Sequence, residues 1–133
     1  MYLDYAIRRL SAFPNIWWSL ANEYDISSKS LEDWEEIEEF VAANDPWHHL
    51  LSCHNCFPMW DASRKNITHI SIQTKVFWNL AKLRETYHKP VILDECCYEG
   101  KEYGLRMAKD LFLLLGRHGG DTGSAFDLDW KRL

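Results

Sequence analysis

Helix-like and strand-like segments alternate along this sequence, and that alternation restricts the fold more than any other feature. Amphipathic helical spacing of apolar residues occurs at about residues 2–12, 31–43, 76–87 and 103–116. Short apolar runs occur at residues 16–20, 48–53, 67–72 and 91–93. Only about 13 residues separate the second and third runs, room for a turn or two of helix. Strands alternating with helices predict an α/β fold with a mostly parallel sheet.

The second helix has the clearest boundary signals in the sequence. Ser30 and Asp33 match a capping box at its start, and the segment Asn44-Asp45-Pro46 predicts its end. The acidic run from Glu32 to Glu39 is interpreted as a solvated face of this helix.

The chain length favours one domain. At 133 residues it lies in the usual size range of a domain with its own hydrophobic core. The composition changes toward glycine and polar residues after residue 116. We therefore expect a domain over residues 1–116 and a C-terminal tail of uncertain structure over residues 117–133.

Charge and hydropathy argue against two classes of partner. The net charge of −5 gives no basic surface for nucleic acid. The longest apolar run, Leu111 to Leu115, is far shorter than the roughly 20 residues that span a bilayer. The first residues do not resemble an export signal, so the sequence predicts a cytoplasmic protein without membrane or nucleic-acid partners.

Four cysteines raise the alternative of a small zinc-binding module. Cys53 and Cys56 form a C-x-x-C motif, whereas Cys96 and Cys97 are adjacent. The second pair lacks the spacing of a zinc ribbon, although His54 could serve as a further ligand. Reduced thiols are the preferred interpretation, and we expect neither a metal nor a cofactor.

Polar side chains follow each predicted strand at the point where it ends. They are Asn22, Glu23, His54, Asn55, Gln73, Asp94 and Glu95. Active sites of α/β proteins form where parallel strands end, so these residues are candidates for one site. Ordinary loop hydrogen bonding remains the alternative interpretation for each of them.

Two of these strand ends resemble those of a known enzyme group. The segment Trp17 to Glu23 resembles the fourth strand of the retaining glycoside hydrolases of clan A, and Pro90 to Glu95 resembles their seventh strand. The sequence motifs NEYD, SxHN and LDECCYEG are most similar to those of cellulase-like and apiosidase-like barrels. The resemblance covers about residues 1–100 and implies a (β/α)8 TIM barrel, of which this chain holds about four parallel strands, four to seven, with their flanking helices.

The resemblance also implies roles for individual residues in hydrolysis of a carbohydrate substrate. Glu95 would be the nucleophile, with Glu99 as its rival, and Glu23 would be the acid/base. Asn22 would bind the sugar hydroxyl beside the anomeric carbon. Further substrate-binding positions are His54, Asn55, Gln73, Trp60 and Tyr98, although the two aromatic residues could equally lie in the core.

A complete barrel is longer than this chain. Such barrels take about 200–250 residues, so the resemblance implies that strands one to three are missing. Unpaired sheet edges would then be exposed, and we expect weak or absent activity alone and self-association through those edges. A carbohydrate-binding remnant without catalysis is the main alternative function.

Overall fold

The structure is a computed structural model that describes residues 2–74 and 79–95. The helices are α1 (Tyr2–Leu10), α2 (Leu31–Asn44) and α3 (Leu80–Tyr87), with a 3₁₀ turn at Tyr24–Ile26. The strands are β1 (Trp18–Ser19), β2 (Leu51–Ser52), β3 (Ile70–Gln73) and β4 (Val91–Glu95). The predicted last helix, Tyr98 and the C-terminal tail lie outside the described residues.

The three predicted helices that fall within the described residues are present, and α2 shows the local cause most clearly. The Ser30 hydroxyl accepts a hydrogen bond from the Asp33 N–H, and the Asp33 carboxylate accepts one from the Ser30 N–H. These two bonds satisfy donors that a helix start leaves without partners. The capping box predicted from the sequence is therefore confirmed. The segment between β2 and β3 contains turns and no helix.

The strands form two parallel pairs. Trp18 lies opposite Leu51 in the pair of β1 with β2, and Ile70 lies opposite Val91 in the pair of β3 with β4. Three hydrogen bonds between Leu51 and Thr68 connect the pairs. The Thr68 N–H and hydroxyl both donate to the Leu51 carbonyl, and the Leu51 N–H donates to the Thr68 hydroxyl. The described part therefore combines helices with short parallel strands, and β2 lies beside the segment that leads into β3.

The hydrophobic core lies between the helices and one face of the strands. Ile7 of α1 and Val41 of α2 pack with Leu51 and Cys53 of the second strand segment. A smaller cluster around Ile70 packs against α3. Trp17, which precedes β1, is 49% exposed, and its ring centroid lies 5.2 Å from that of His69.

The sequence interpretation of the acidic run on α2 as a solvated face is wrong at one position. Glu38 is 0% exposed and accepts hydrogen bonds from Trp60 Nε1 at 3.0 Å and Arg64 Nε at 2.7 Å. Asn66 Nδ2 donates a third at 3.2 Å. A buried carboxylate is tolerated here because its oxygens are paired and hydrogen-bonded.

The helices of the described segments give no transmembrane candidate. None of α1, α2 and α3 has both the length and the apolar character needed to cross a bilayer.

Candidate functional site

The polar residues predicted from the strand ends gather at one edge of the structure, which we call the carboxyl edge. It comprises residues 22–25 after β1, residues 54–56 after β2, Gln73 at the end of β3, and Asp94 and Glu95 at the end of β4. Because the paired strands are parallel, their ends lie on the same side.

Glu23 is held at this edge by a constrained backbone and two donors. Its backbone has φ 51° and ψ 60°, a left-handed conformation that is uncommon for a non-glycine residue. The side-chain amide of Gln73 is oriented with its nitrogen toward Glu23 and Asn55. In this orientation it donates to Glu23 Oε1 at 3.1 Å and to the Asn55 backbone carbonyl at 3.0 Å. The Cys56 thiol also hydrogen-bonds to Glu23.

The pKa of the Cys56 thiol is raised by burial and by the negative charges around it. Burial makes the largest contribution to raising its pKa, and the hydrogen bond to Glu23 and the charge of that carboxylate contribute next. The charges of Asp25 and Glu95 raise it further. Carboxylates from β4 and from the segment after β1 therefore act on the same thiol.

A bulge in β4 brings two successive carboxylates to His54. Gln73 lies opposite Glu95, and the register shift leaves Asp94 as an extra residue. In a regular strand neighbouring side chains point to opposite faces, and a bulge changes that direction. Asp94 Oδ2 consequently lies 3.6 Å from His54 Nδ1, and Glu95 Oε2 lies 3.4 Å from His54 Nε2.

Asp25 fixes the loop after β2 and was missed as a site residue by the sequence analysis. Its Oδ1 accepts the Cys56 N–H at 2.6 Å, and its Oδ2 accepts the Phe57 N–H at 2.8 Å. Burial alone would raise the pKa of Asp25, but these backbone donors favour the ionised form and the net pKa lies below the ordinary value. The sequence signal that could have identified Asp25 is its position two residues after Glu23, in the motif NEYD.

A cleft of about 290 Å³ opens at the carboxyl edge. Its lining residues are Ser19, Ala21, Asn22, His54, Asp94 and Glu95. The lining combines small side chains with polar and charged groups, and the polar groups could bind the hydroxyl groups of a ligand.

Trp60 does not lie at this cleft, so its predicted sugar contact is corrected. It is 4% exposed, its ring meets Tyr24 edge-on at 4.9 Å, and its N–H donates to Glu38. The ring is part of the core because α2 covers it, and a sugar cannot stack on it.

Asn55 also differs from its predicted role at the rim. Its side chain is buried, where Oδ1 accepts the Gln73 N–H and Nδ2 donates to the Phe57 carbonyl. Asn55 therefore joins the ends of β2 and β3 rather than facing the cleft. Gln73 contacts Glu23 and Asn55 and is not among the cleft-lining residues.

The cysteines of the C-x-x-C motif lie in different surroundings. Cys53 is buried in the core, where burial raises the pKa of its thiol to about 12, and Cys56 lies at the carboxyl edge. Within residues 2–74 and 79–95, no group of three His, Cys, Asp or Glu side chains is arranged to hold a metal ion.

One solved structure provides a comparison. Over 75% of its length this chain is 40% identical to a candidate glycoside hydrolase from Bacteroides vulgatus ATCC 8482, solved by crystallography at 1.80 Å, with a TM-score of 0.71. The chain spans 21% of the length of that protein. No family model and no curated protein matches the chain. In sequence and fold, the chain is therefore similar to part of this candidate glycoside hydrolase.

Proposed function

We propose that this chain carries the catalytic pair of a retaining O-glycosyl hydrolase, with Glu95 as nucleophile and Glu23 as acid/base. The observation that carries the proposal is the convergence of both residues on Gln73. Its side-chain amide donates to Glu23 Oε1 at 3.1 Å, and its backbone lies opposite Glu95 in the β3–β4 pair. The similarity to a candidate glycoside hydrolase supports the same reaction class.

The proposed reaction is a double displacement at the anomeric carbon. In the first step a Glu95 carboxylate oxygen bonds to that carbon, the bond to the glycosidic oxygen breaks, and Glu23 gives its proton to the leaving oxygen. In the second step Glu23 takes a proton from water, the water oxygen bonds to the anomeric carbon, and the bond to Glu95 breaks. Such a pair works with carboxyl groups about 5–5.5 Å apart.

The cleft supplies the remaining proposed contacts to a carbohydrate. Asn22 lines it next to Glu23 in the sequence and would bind the hydroxyl beside the anomeric carbon. A hydrogen bond at this hydroxyl strengthens as positive charge develops in the transition state. His54 lines the same cleft as Glu95.

The proposal places these residues in part of a (β/α)8 barrel. Parallel strands with helices on one side, and functional residues at their carboxyl ends, support strands four to seven of such a barrel. Because the chain spans about a fifth of the similar structure, we propose a fragment whose activity alone is weak.

Hydrolysis of activated dinitrophenyl glycosides by the 133-residue chain tests the proposal. We expect Glu95→Gln to lower the rate by at least about a thousandfold, because no group replaces the nucleophile. Glu23→Gln should slow turnover by about a hundredfold, and added azide should restore it by replacing the water that Glu23 activates. The matched control is Glu85→Gln on the exposed surface of α3, which should keep the parent rate.

Covalent trapping identifies the nucleophile directly. A fluorosugar inactivator should leave its glycosyl group on the peptide that contains Glu95. A label on another carboxylate, or an unchanged rate in Glu95→Gln, would refute the assignment. Oligosaccharide binding with neither hydrolysis of the dinitrophenyl glycosides nor a label on Glu95 would refute the hydrolase proposal and leave a carbohydrate-binding segment.

A further inference from the structure

His54 has one buried ring nitrogen without a hydrogen bond in the described part of the chain. The residue is 4% exposed and lines the cleft, and the unpartnered atom is the buried Nε2. Glu95 Oε2 is 3.4 Å from this nitrogen, close enough for an ion pair, yet no hydrogen bond is complete. A buried polar atom without a partner is costly, so its orientation requires an explanation.

The other ring nitrogen of His54 has a defined partner. Nδ1 lies 3.1 Å from the Ser71 hydroxyl oxygen, and that hydroxyl donates a hydrogen bond to Asp94. An ionised carboxylate only accepts, so the proton between Ser71 and Asp94 belongs to the serine. The Ser71 oxygen can then only accept from the ring, which requires a proton on His54 Nδ1.

We infer that Asp94 and Ser71 fix the tautomer of His54 and make it a positioning residue for Glu95. With Nδ1 committed as the donor to Ser71, Nε2 donates a hydrogen bond to the ionised Glu95 carboxylate when the ring carries its second proton. This inference rests on the nucleophile role proposed above, and it adds the residues that hold the nucleophile in place.

The β4 bulge makes the arrangement possible. Asp94 and Glu95 are adjacent in sequence and still approach opposite nitrogens of one imidazole ring. Asp94 is the extra residue of the bulge, and without it the two side chains would point to opposite faces. At metal sites, removing a group that orients a histidine ring changes activity by about tenfold to a hundredfold, and we expect an effect of the same order here.

The tautomer can be measured without any substrate. In the ¹⁵N-labelled chain, at a pH where the ring is neutral, long-range ¹H–¹⁵N spectra should show His54 Nδ1 as the protonated nitrogen and Nε2 as the unprotonated one. Ser71→Ala should move the ring toward the Nε2-protonated form, and Ser71→Thr, which keeps the hydroxyl, should restore the parent spectrum. An unprotonated Nδ1 in the parent chain would overturn the inference, even if Ser71→Ala does not fold.

The rate of covalent labelling at Glu95 by the fluorosugar inactivator tests positioning. We expect Ser71→Ala to slow it by about tenfold to a hundredfold and Ser71→Thr to stay within about threefold of the parent. Ser52→Ala removes a buried serine of β2 outside the hydrogen-bonded group and should leave the rate unchanged.

The two proposals fail in different ways. A label on Glu95 that forms equally fast in Ser71→Ala overturns the positioning role of His54 and supports the proposed function. A Ser71-dependent tautomer in a chain that never acquires a label on Glu95 overturns the proposed function and supports the tautomer assignment.

Discussion

Replacing Asp25 by asparagine tests how the loop after β2 is held. The Asp25 carboxylate accepts the N–H groups of Cys56 at 2.6 Å and Phe57 at 2.8 Å, across 31 and 32 residues of sequence. The asparagine side chain would keep one neutral acceptor oxygen and turn an NH₂ donor toward the second N–H. The change therefore removes charge from one hydrogen bond and eliminates the other.

The expected cost follows from the two bonds. A charge-assisted hydrogen bond contributes about 1.5–3 kcal/mol and a neutral one about 0.5–1.5 kcal/mol, so the Cys56 bond weakens by about 1 kcal/mol. Phe57 is 80% exposed, so water competes for its N–H, and loss of its bond costs about 1 kcal/mol. We expect Asp25→Asn to lower the free energy of unfolding by about 2 kcal/mol.

Urea unfolding measures this difference. With an m-value of about 1.5 kcal/mol/M, the midpoint should fall by about 1.3 M with the slope unchanged. Amide hydrogen exchange should accelerate at Cys56 and Phe57. Asp61→Asn is the control, because its Oδ1 accepts only from Ser63, two residues away, and an asparagine oxygen can replace it at a cost below about 0.5 kcal/mol. A loss of less than about 0.5 kcal/mol in Asp25→Asn would refute the reasoning.

The same interaction predicts a dependence on pH. The pKa of Asp25 in the folded chain lies below its ordinary value of 3.8, because the backbone donors outweigh the effect of burial. A lowered folded pKa means that the contribution to stability is complete above the unfolded pKa and is lost as the pH falls through the folded one. The difference between parent and Asp25→Asn should therefore be constant above about pH 5 and shrink below pH 3.8.

The remaining predictions concern three other positions. His88 ends α3 in the left-handed conformation, with φ 52° and ψ 34°, so His88→Gly should raise the free energy of unfolding by about 0.5–1 kcal/mol, measured in urea, and a decrease would contradict the reasoning. Trp60→Phe removes a donor from buried Glu38 and should cost about 1–3 kcal/mol without changing carbohydrate affinity in calorimetry; weaker binding in the folded variant would contradict the burial of this ring. Because the pKa of the Cys53 thiol is about 12, iodoacetamide at about pH 8 should label this residue only after unfolding, as peptide mass spectrometry would show; labelling of the folded chain at the rate of a free thiol would refute this.

Local patterns predicted α1, α2 and α3 and the order of the four described strands. The capping box of α2 and the stripe of α3 act over three or four residues, so sequence spacing is enough to identify them. The strands β1 and β2 are shorter than their apolar runs, since only two residues of each keep ladder pairing. Their neighbouring residues continue the contact by single backbone bonds, such as Tyr24 N–H to His54 C=O.

The roles within the candidate site were less accessible from sequence. Strand ends predicted which segments would meet, because parallel strands share an edge. They did not predict that Asn55 would be buried, that Trp60 would pack against Tyr24, or that Asp25 would bind the loop. Each of these facts depends on contacts between segments more than ten residues apart.

The sequence by itself determined the α/β pattern and the placement of Glu23 and Glu95 after apolar runs, because periodicity and caps act locally. Only the tertiary structure decided that Glu38 of an acidic run would be buried, since that requires Arg64 and Trp60 from another segment. It also decided that Asp94 and Glu95 both face His54, because the register of β3 with β4 creates the bulge. Register depends on how whole strands pair and pack, and no short stretch of residues contains that information.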